Sequence, residues 1–97
     1  MQLVKRLEII IDAPEVPALL AVLRKHGAGG YTVISPVTGA GDRGERRNDE
    51  PGGGAGNACV LTAAPPEQAS ILIEAVRPIL KKRGGVCLVS DAHWVVH

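Results

Sequence analysis

The sequence predicts an α+β domain of order β-α-β-β-α-β, the split βαβ arrangement in which an antiparallel sheet carries two helices on one face. Three observations lead there. Four short runs rich in Val, Ile and Leu alternate with two stretches whose apolar residues recur at helical spacing. Glycine and proline punctuate the junctions between them. The 97 residues suffice for one domain, spanning 1–97, with no room for a second.

Each element has its own signal. Leu3 to Ile11 alternates around Leu7, Ile9 and Ile11 and reads as the first strand. Asp12, near the cap position, and Pro14, in the first turn, start a helix. Val16, Leu19, Leu20 and Leu23 give that helix one apolar stripe. Gly27 closes it, after Arg24, Lys25 and His26 in the last turn, where cations favour the negative dipole end. Gly30 to Val37 is the second strand; Pro36 cannot donate to a ladder, so the strand is bulged, ends, or lies at an edge there. Asn57 to Ala63 is the third. Pro65 and Pro66 open a second helix from Glu67 to about Lys82, with Gln68, Ile71, Leu72, Ala75, Val76 and Ile79 as its buried face. Pro78 should kink this helix or end its regular part near Arg77. Gly84-Gly85 turns the chain into the last strand, Val86 to Ser90. The tail from Asp91 to His97 adds at most a little β-structure around Trp94, Val95 and Val96.

Between the second and third strands lies the chain's most unusual stretch, residues 38–56. It holds seven of the twelve glycines, three arginines and four acidic residues, and no large apolar side chain. Such a segment buries too little to offset its ordering entropy, so it is expected to be mobile. A loop this long in a domain this small points to function.

Composition narrows the function classes. The net charge is +1 and the only aromatics are Tyr31 and Trp94, so the broad basic surface and stacking positions of a nucleic-acid binder are missing. No apolar run reaches the roughly 20 residues of a membrane span, and MQLVKRLEIIID has no signal-peptide pattern, which points to the cytoplasm. Cys59 and Cys87 read as buried free thiols. The core is expected to be Val, Ile, Leu and Ala.

Two clusters could carry chemistry. In Gly39-Ala40-Gly41-Asp42-Arg43-Gly44, glycines allow backbone N–H groups to approach an anion and Arg43 offers a bidentate fork. On these residues alone a flexible, solvated loop has an equal claim. Lys81-Lys82-Arg83-Gly84-Gly85 leads basic residues into a glycine turn, which is also how an ordinary helix ends. His26, His93, His97, Cys59 and Cys87 show no metal-ligand spacing. Ser35, Ser70 and Ser90 have no evident His/Asp partners, so no catalytic residues are assigned and the chain is not expected to be an enzyme.

KRLEIII at the start, GAGGYTVISPVTGAGDRG into the loop, and the short turn before the last strand together resemble the PII signalling proteins over nearly the whole chain. Among PII-like groups the chain is most similar to the carboxysome-associated, bicarbonate-responsive proteins. The resemblance implies a homotrimer of ferredoxin-like subunits binding adenine nucleotides between them. Residues 38–56 would then be the T-loop, with Gly39, Gly41 and Arg43 at its base facing the phosphates. Lys82, Arg83, Gly84 and Gly85 would be the B-loop side, and Tyr31 to Ser35 a wall of the cleft or of the trimer interface. Gly44-Glu45-Arg46 replaces the family's usual Gln-Lys-Gly, so 2-oxoglutarate sensing is not implied. Gly85 stands where a phosphate-binding lysine is usual, leaving Lys82 or Arg83 to substitute. ADP or AMP is then expected over ATP, with bicarbonate beside Arg43 or Arg46 and a membrane bicarbonate transporter or another carbon-uptake protein as the regulated partner. A metal-binding trimer of the CutA type and an ACT-like metabolite-binding module share the architecture and stay open as alternatives.

Overall fold

Alternation in the first apolar run sets the architecture. In the computed structural model, which describes residues 1–37, 39–41, 44–46 and 56–97, strand β1 (Gln2–Asp12) buries Leu7, Ile9 and Ile11. Successive side chains of a strand point to opposite faces, so this odd-numbered row defines the core side. A single 3-10 turn (Ala13–Glu15) leads into α1 (Val16–Lys25), followed by β2 (Thr32–Val37), β3 (Gly39–Gly41) and β4 (Gly44–Arg46). Then come β5 (Asn57–Ala64), α2 (Pro66–Arg83) and β6 (Val86–Trp94).

The four long strands form one sheet in the order β2-β5-β1-β6, every neighbour antiparallel. This is the expected ferredoxin-like α+β arrangement, with the first and third long strands central. Leu19 and Leu23 of α1 and Ala69, Leu72 and Val76 of α2 pack with Leu7, Ile9, Ile11, Val60 and Ala64 in one cluster. Both helices therefore cover the same face. That core is aliphatic, as composition requires: the two aromatics, Tyr31 and Trp94, are both exposed. No helix among the described residues is long and apolar enough to cross a membrane.

The first helix ends as its glycine predicts. Gly27 adopts φ +90°, its N–H donates to the Arg24 carbonyl, and the Ala28 N–H donates to the Leu23 carbonyl at 2.9 Å. Those two bonds are the Schellman pair that satisfies a helix's last carbonyls. The Gln68 side-chain amide then donates to the His26 carbonyl, tying the end of α1 to the start of α2. Pro36 also behaves as expected, since β2 is an edge strand whose register shifts between Ile34 and Val37.

Other elements differ from expectation for identifiable reasons. Asp12 provides no side-chain capping hydrogen bond, because a 3-10 turn intervenes before α1. Pro78 neither ends nor divides α2, which continues to Arg83. Its ring sits on the exposed side, so the Glu74 carbonyl that loses an N–H partner faces solvent. The buried stripe of α2 runs through Ala69, Leu72 and Val76, at least about 100° round the helix from Ile71, which is 53% exposed rather than buried. Strand β6 continues past Ser90 to Trp94 because β1 supplies partners all the way, down to Gln2 opposite Trp94. An ion pair between Lys5 and Asp91 links the two strands in that stretch. Cys59 is buried as expected, whereas Cys87, near the start of an edge strand, is only half-buried.

Residues 38–56 are not without regular structure throughout: β3 and β4 pair as a two-stranded antiparallel ribbon, Gly39 opposite Arg46 and Gly41 opposite Gly44. Backbone pairing of this kind needs no apolar burial, so composition does not forbid it. The expectation of mobility covers all of 38–56, and for 38, 42, 43 and 47–55 it falls outside the described residues.

The corrected face of α2 is directly testable. Leu72→Ala should lower unfolding free energy by about 2–5 kcal/mol, while Ile71→Ala should change it by less than about 1 kcal/mol. Urea denaturation of both variants under conditions where the chain is monomeric checks this.

Candidate functional site

One row of partners, Ile34–Cys59–Ile10–Val86, crosses all four strands and marks one end of the sheet. At this end β2 runs toward the glycine ribbon, β5 begins, β1 runs out toward α1, and β6 begins after Gly84-Gly85. The Ala13 N–H donates to the Gly56 carbonyl at 2.8 Å, fixing the returning end of the long loop beside the same corner. Both sequence-predicted clusters therefore belong to one end of the domain.

They lie on opposite edges of it. Ser35 is exposed on β2, and Lys82 to Gly85 lead into β6. Two strands separate those edges, a span of about 14 Å at three interstrand spacings. A single chain does not bring Ser35 and the basic turn together.

On the β6 side, the last turn of α2 presents Lys81, Lys82 and Arg83, all exposed. Arg83 Nε lies 3.6 Å from Glu15 Oε1 at the other helix's start, while Lys82 has no ion-pair partner among the described residues. Gly84 (φ +82°) donates its N–H to the Leu80 carbonyl, and Gly85 follows at φ +126°. A Cβ on Gly85 would stand 2.7 Å from Ile11 Cγ2 and 2.8 Å from the Ile10 carbonyl oxygen. The turn thus packs its backbone directly onto β1. A lysine cannot stand at position 85 without displacing that strand, so the fold itself demands glycine there.

On the β2 side, Tyr31 is anchored by Arg24, which donates to its hydroxyl at 3.0 Å with the guanidinium 6.0 Å from the ring centroid. Thr62 donates to the Gly30 carbonyl at 2.6 Å just before β2. Gly39 and Gly41 bound β3, and Arg46 closes β4. Arg43 lies outside the described residues.

Two residues here carry no sequence signal as a pair: Glu15 and Arg83 meet only because α1 starts where α2 ends. The thiols offer no reactive centre. Burial pushes the Cys59 thiol above its ordinary value, helped by the Glu8 carboxylate, and burial does the same to Cys87. Both therefore stay protonated at neutral pH. Among the described residues, no group of three or more His, Cys, Asp or Glu side chains is placed to hold a metal ion.

Gly85→Ala should destabilise the chain by about 1–3 kcal/mol through the clash with β1 and the left-handed backbone. A thermal melt beside that of Gly29→Ala, where a Cβ meets nothing within 4 Å, separates this steric cost from a general effect of losing glycine.

The sequence matches the family model for nitrogen regulatory protein P-II over residues 4–96. None of the curated proteins matches it. Among solved structures, CPII from Thiomonas intermedia, a nitrogen regulatory PII-like protein bound to ADP, AMP and bicarbonate, superimposes with a TM-score of 0.84. Identity is 25%, covering 93% of this chain and 86% of that one. CPII bound to ADP and bicarbonate gives a TM-score of 0.81 at 26% identity, with the same shares of both chains covered. A PII-like signalling protein from Thermus thermophilus shares the fold, with a TM-score of 0.75 at 21% identity over 99% of this chain and 94% of that one.

Proposed function

The chain belongs to the nitrogen regulatory protein P-II family, and from that premise we propose that it is a cytoplasmic, non-catalytic regulator that binds adenine nucleotides between the subunits of a homotrimer. ADP or AMP is preferred over ATP, and bicarbonate is the second ligand. Gly39, Gly41 and Arg43 of one subunit face the phosphates, Ser35 forms part of the wall, and Lys82, Arg83, Gly84 and Gly85 of the neighbour close the cleft. Arg43 and Arg46 are the candidate bicarbonate contacts. Nucleotide binding orders part of 38–56 and so changes which partner docks, a membrane bicarbonate transporter or another protein of inorganic-carbon uptake.

The observation that carries this reading is the placement of the two clusters at one end of the sheet on opposite edges. A cleft built from both needs a second copy, whose β6 edge would meet the first copy's β2 edge. The ligands named for CPII agree with the chemistry of the clusters: backbone N–H groups and cations for phosphate, a guanidinium for a small planar anion. Since no lysine fits at 85, Lys82 and Arg83 supply the charge on that side, and fewer fixed cations favour the less charged nucleotides.

Calorimetric titration of ATP, ADP and AMP into the purified protein, with and without bicarbonate, tests the reading. ADP or AMP should bind more tightly than ATP, bicarbonate should strengthen the binding, and Arg43→Ala should weaken it at least tenfold. Absence of adenine-nucleotide binding under all conditions would overturn the functional reading while leaving the fold intact.

A further inference from the structure

We propose that Arg6 and Glu8 form a polar key in the sheet face through which copies of this chain associate, selecting one register and one stoichiometry. The inference rests on the homotrimer reading above and adds the residues that make the assembly specific.

The even-numbered side of β1 points away from the helices. Along it run Val4, Arg6, Glu8 and Ile10. Their cross-strand neighbours are Ala63, Leu61 and Cys59 on β5, and Ala92, Ser90, Leu88 and Val86 on β6. Several apolar members of this face meet solvent: Ile34 is 47% exposed, Val86 48% and Leu88 55%. Val4 and Cys59 on the same side are buried, so the exposed apolar members lie toward the two edges, on β2 and β6. In its middle, Arg6 Nη1 lies 3.3 Å from Glu8 Oε2, with the side chains 42% and 32% exposed. Glu8 faces Leu61 and Leu88 directly across the sheet, and Arg6 faces Ala63 and Ser90, so neither meets an opposite charge on a neighbouring strand.

A wholly apolar face would let a second copy settle in several registers, since burial is non-directional. One positive and one negative group at its centre remove that freedom. Any partner that covers the face without polar groups strands a buried ion pair with unmet hydrogen-bonding capacity. A second copy of the same chain carries the same two charges, and a closed symmetric arrangement sets each copy's Arg6 against a neighbour's Glu8. Out-of-register arrangements bring like charges together or bury one alone. A nucleic-acid strand is disfavoured by Glu8.

The test is analytical ultracentrifugation of the full chain over a dilution series, for wild type, Arg6→Leu, Glu8→Leu and the double variant. Wild type should give one defined oligomer. Each single variant leaves an unpaired charge in the interface and should raise the dissociation constant about a hundredfold. The double variant should re-associate to near wild-type affinity but as a mixture of stoichiometries. Should Glu8→Leu fail to fold by circular dichroism, Glu8→Gln, nearly the same in shape, carries the same expectation. Single variants with wild-type mass and affinity, or a double variant as weak as the singles, would overturn the key alone. A wild type that is monomeric throughout would overturn the homotrimer reading and this inference with it.

Discussion

Strand β1 is the constraint on which the rest of the molecule depends. It is hydrogen-bonded on both edges, to β5 from Lys5 to Asp12 and to β6 from Gln2 to Ile10. Its odd residues anchor the helix-side core and its even residues carry the charged pair of the open face. Because side chains alternate with a period of two, a slip of one residue would drive Arg6 and Glu8 under the helices and expose Leu7, Ile9 and Ile11. Burial of three large aliphatics against desolvation of two charges fixes the register from both sides.

The same strand organises the candidate site. Its outgoing end is pressed by Gly85, whose missing side chain lets the turn after α2 lie on Ile10 and Ile11. That contact sets where β6 starts, and hence where Lys82 and Arg83 stand. A few residues further on, Ala13 holds Gly56, so the long loop returns at the same corner. Glycine at 85 is a packing requirement first.

How much of this was legible in the sequence depends on the range of the interaction. Alternation in β1, the stripe of α1 and the glycine stop at 27 are local, and each is where the pattern places it. Family membership was legible too, through GAGGYTVISPVTGAGDRG and its surroundings, which the match over residues 4–96 bears out. What the sequence hid is set by partners far along the chain. The extension of β6 depends on β1 offering Gln2 to Lys5, the survival of α2 through Pro78 on which side of the helix faces water, and the Glu15–Arg83 pair on two helix ends meeting. Ile71 misled because its i, i+1 partner Leu72 is buried, and both fit a helical stripe until packing chooses one. The ribbon of β3 and β4 escaped a compositional reading because its stability lies in backbone pairing, which composition does not report.

Energetics limit what a ligand at this corner can do to the loop. Fixing all 19 residues of 38–56 from a free chain would cost roughly 20–40 kcal/mol at about 1–2 kcal/mol per residue. A ligand with a micromolar dissociation constant supplies about 8 kcal/mol in total, less than that cost, so the proposed nucleotide would not suffice to fix the whole segment. On the proposed reading it would act on the few residues nearest the phosphates, provided their neighbours are already constrained. The β3–β4 ribbon begins one residue after β2, and the Ala13–Gly56 bond closes the other end, so both roots are constrained before any ligand arrives. On the proposed reading, a small ligand would act on these two held ends of the segment.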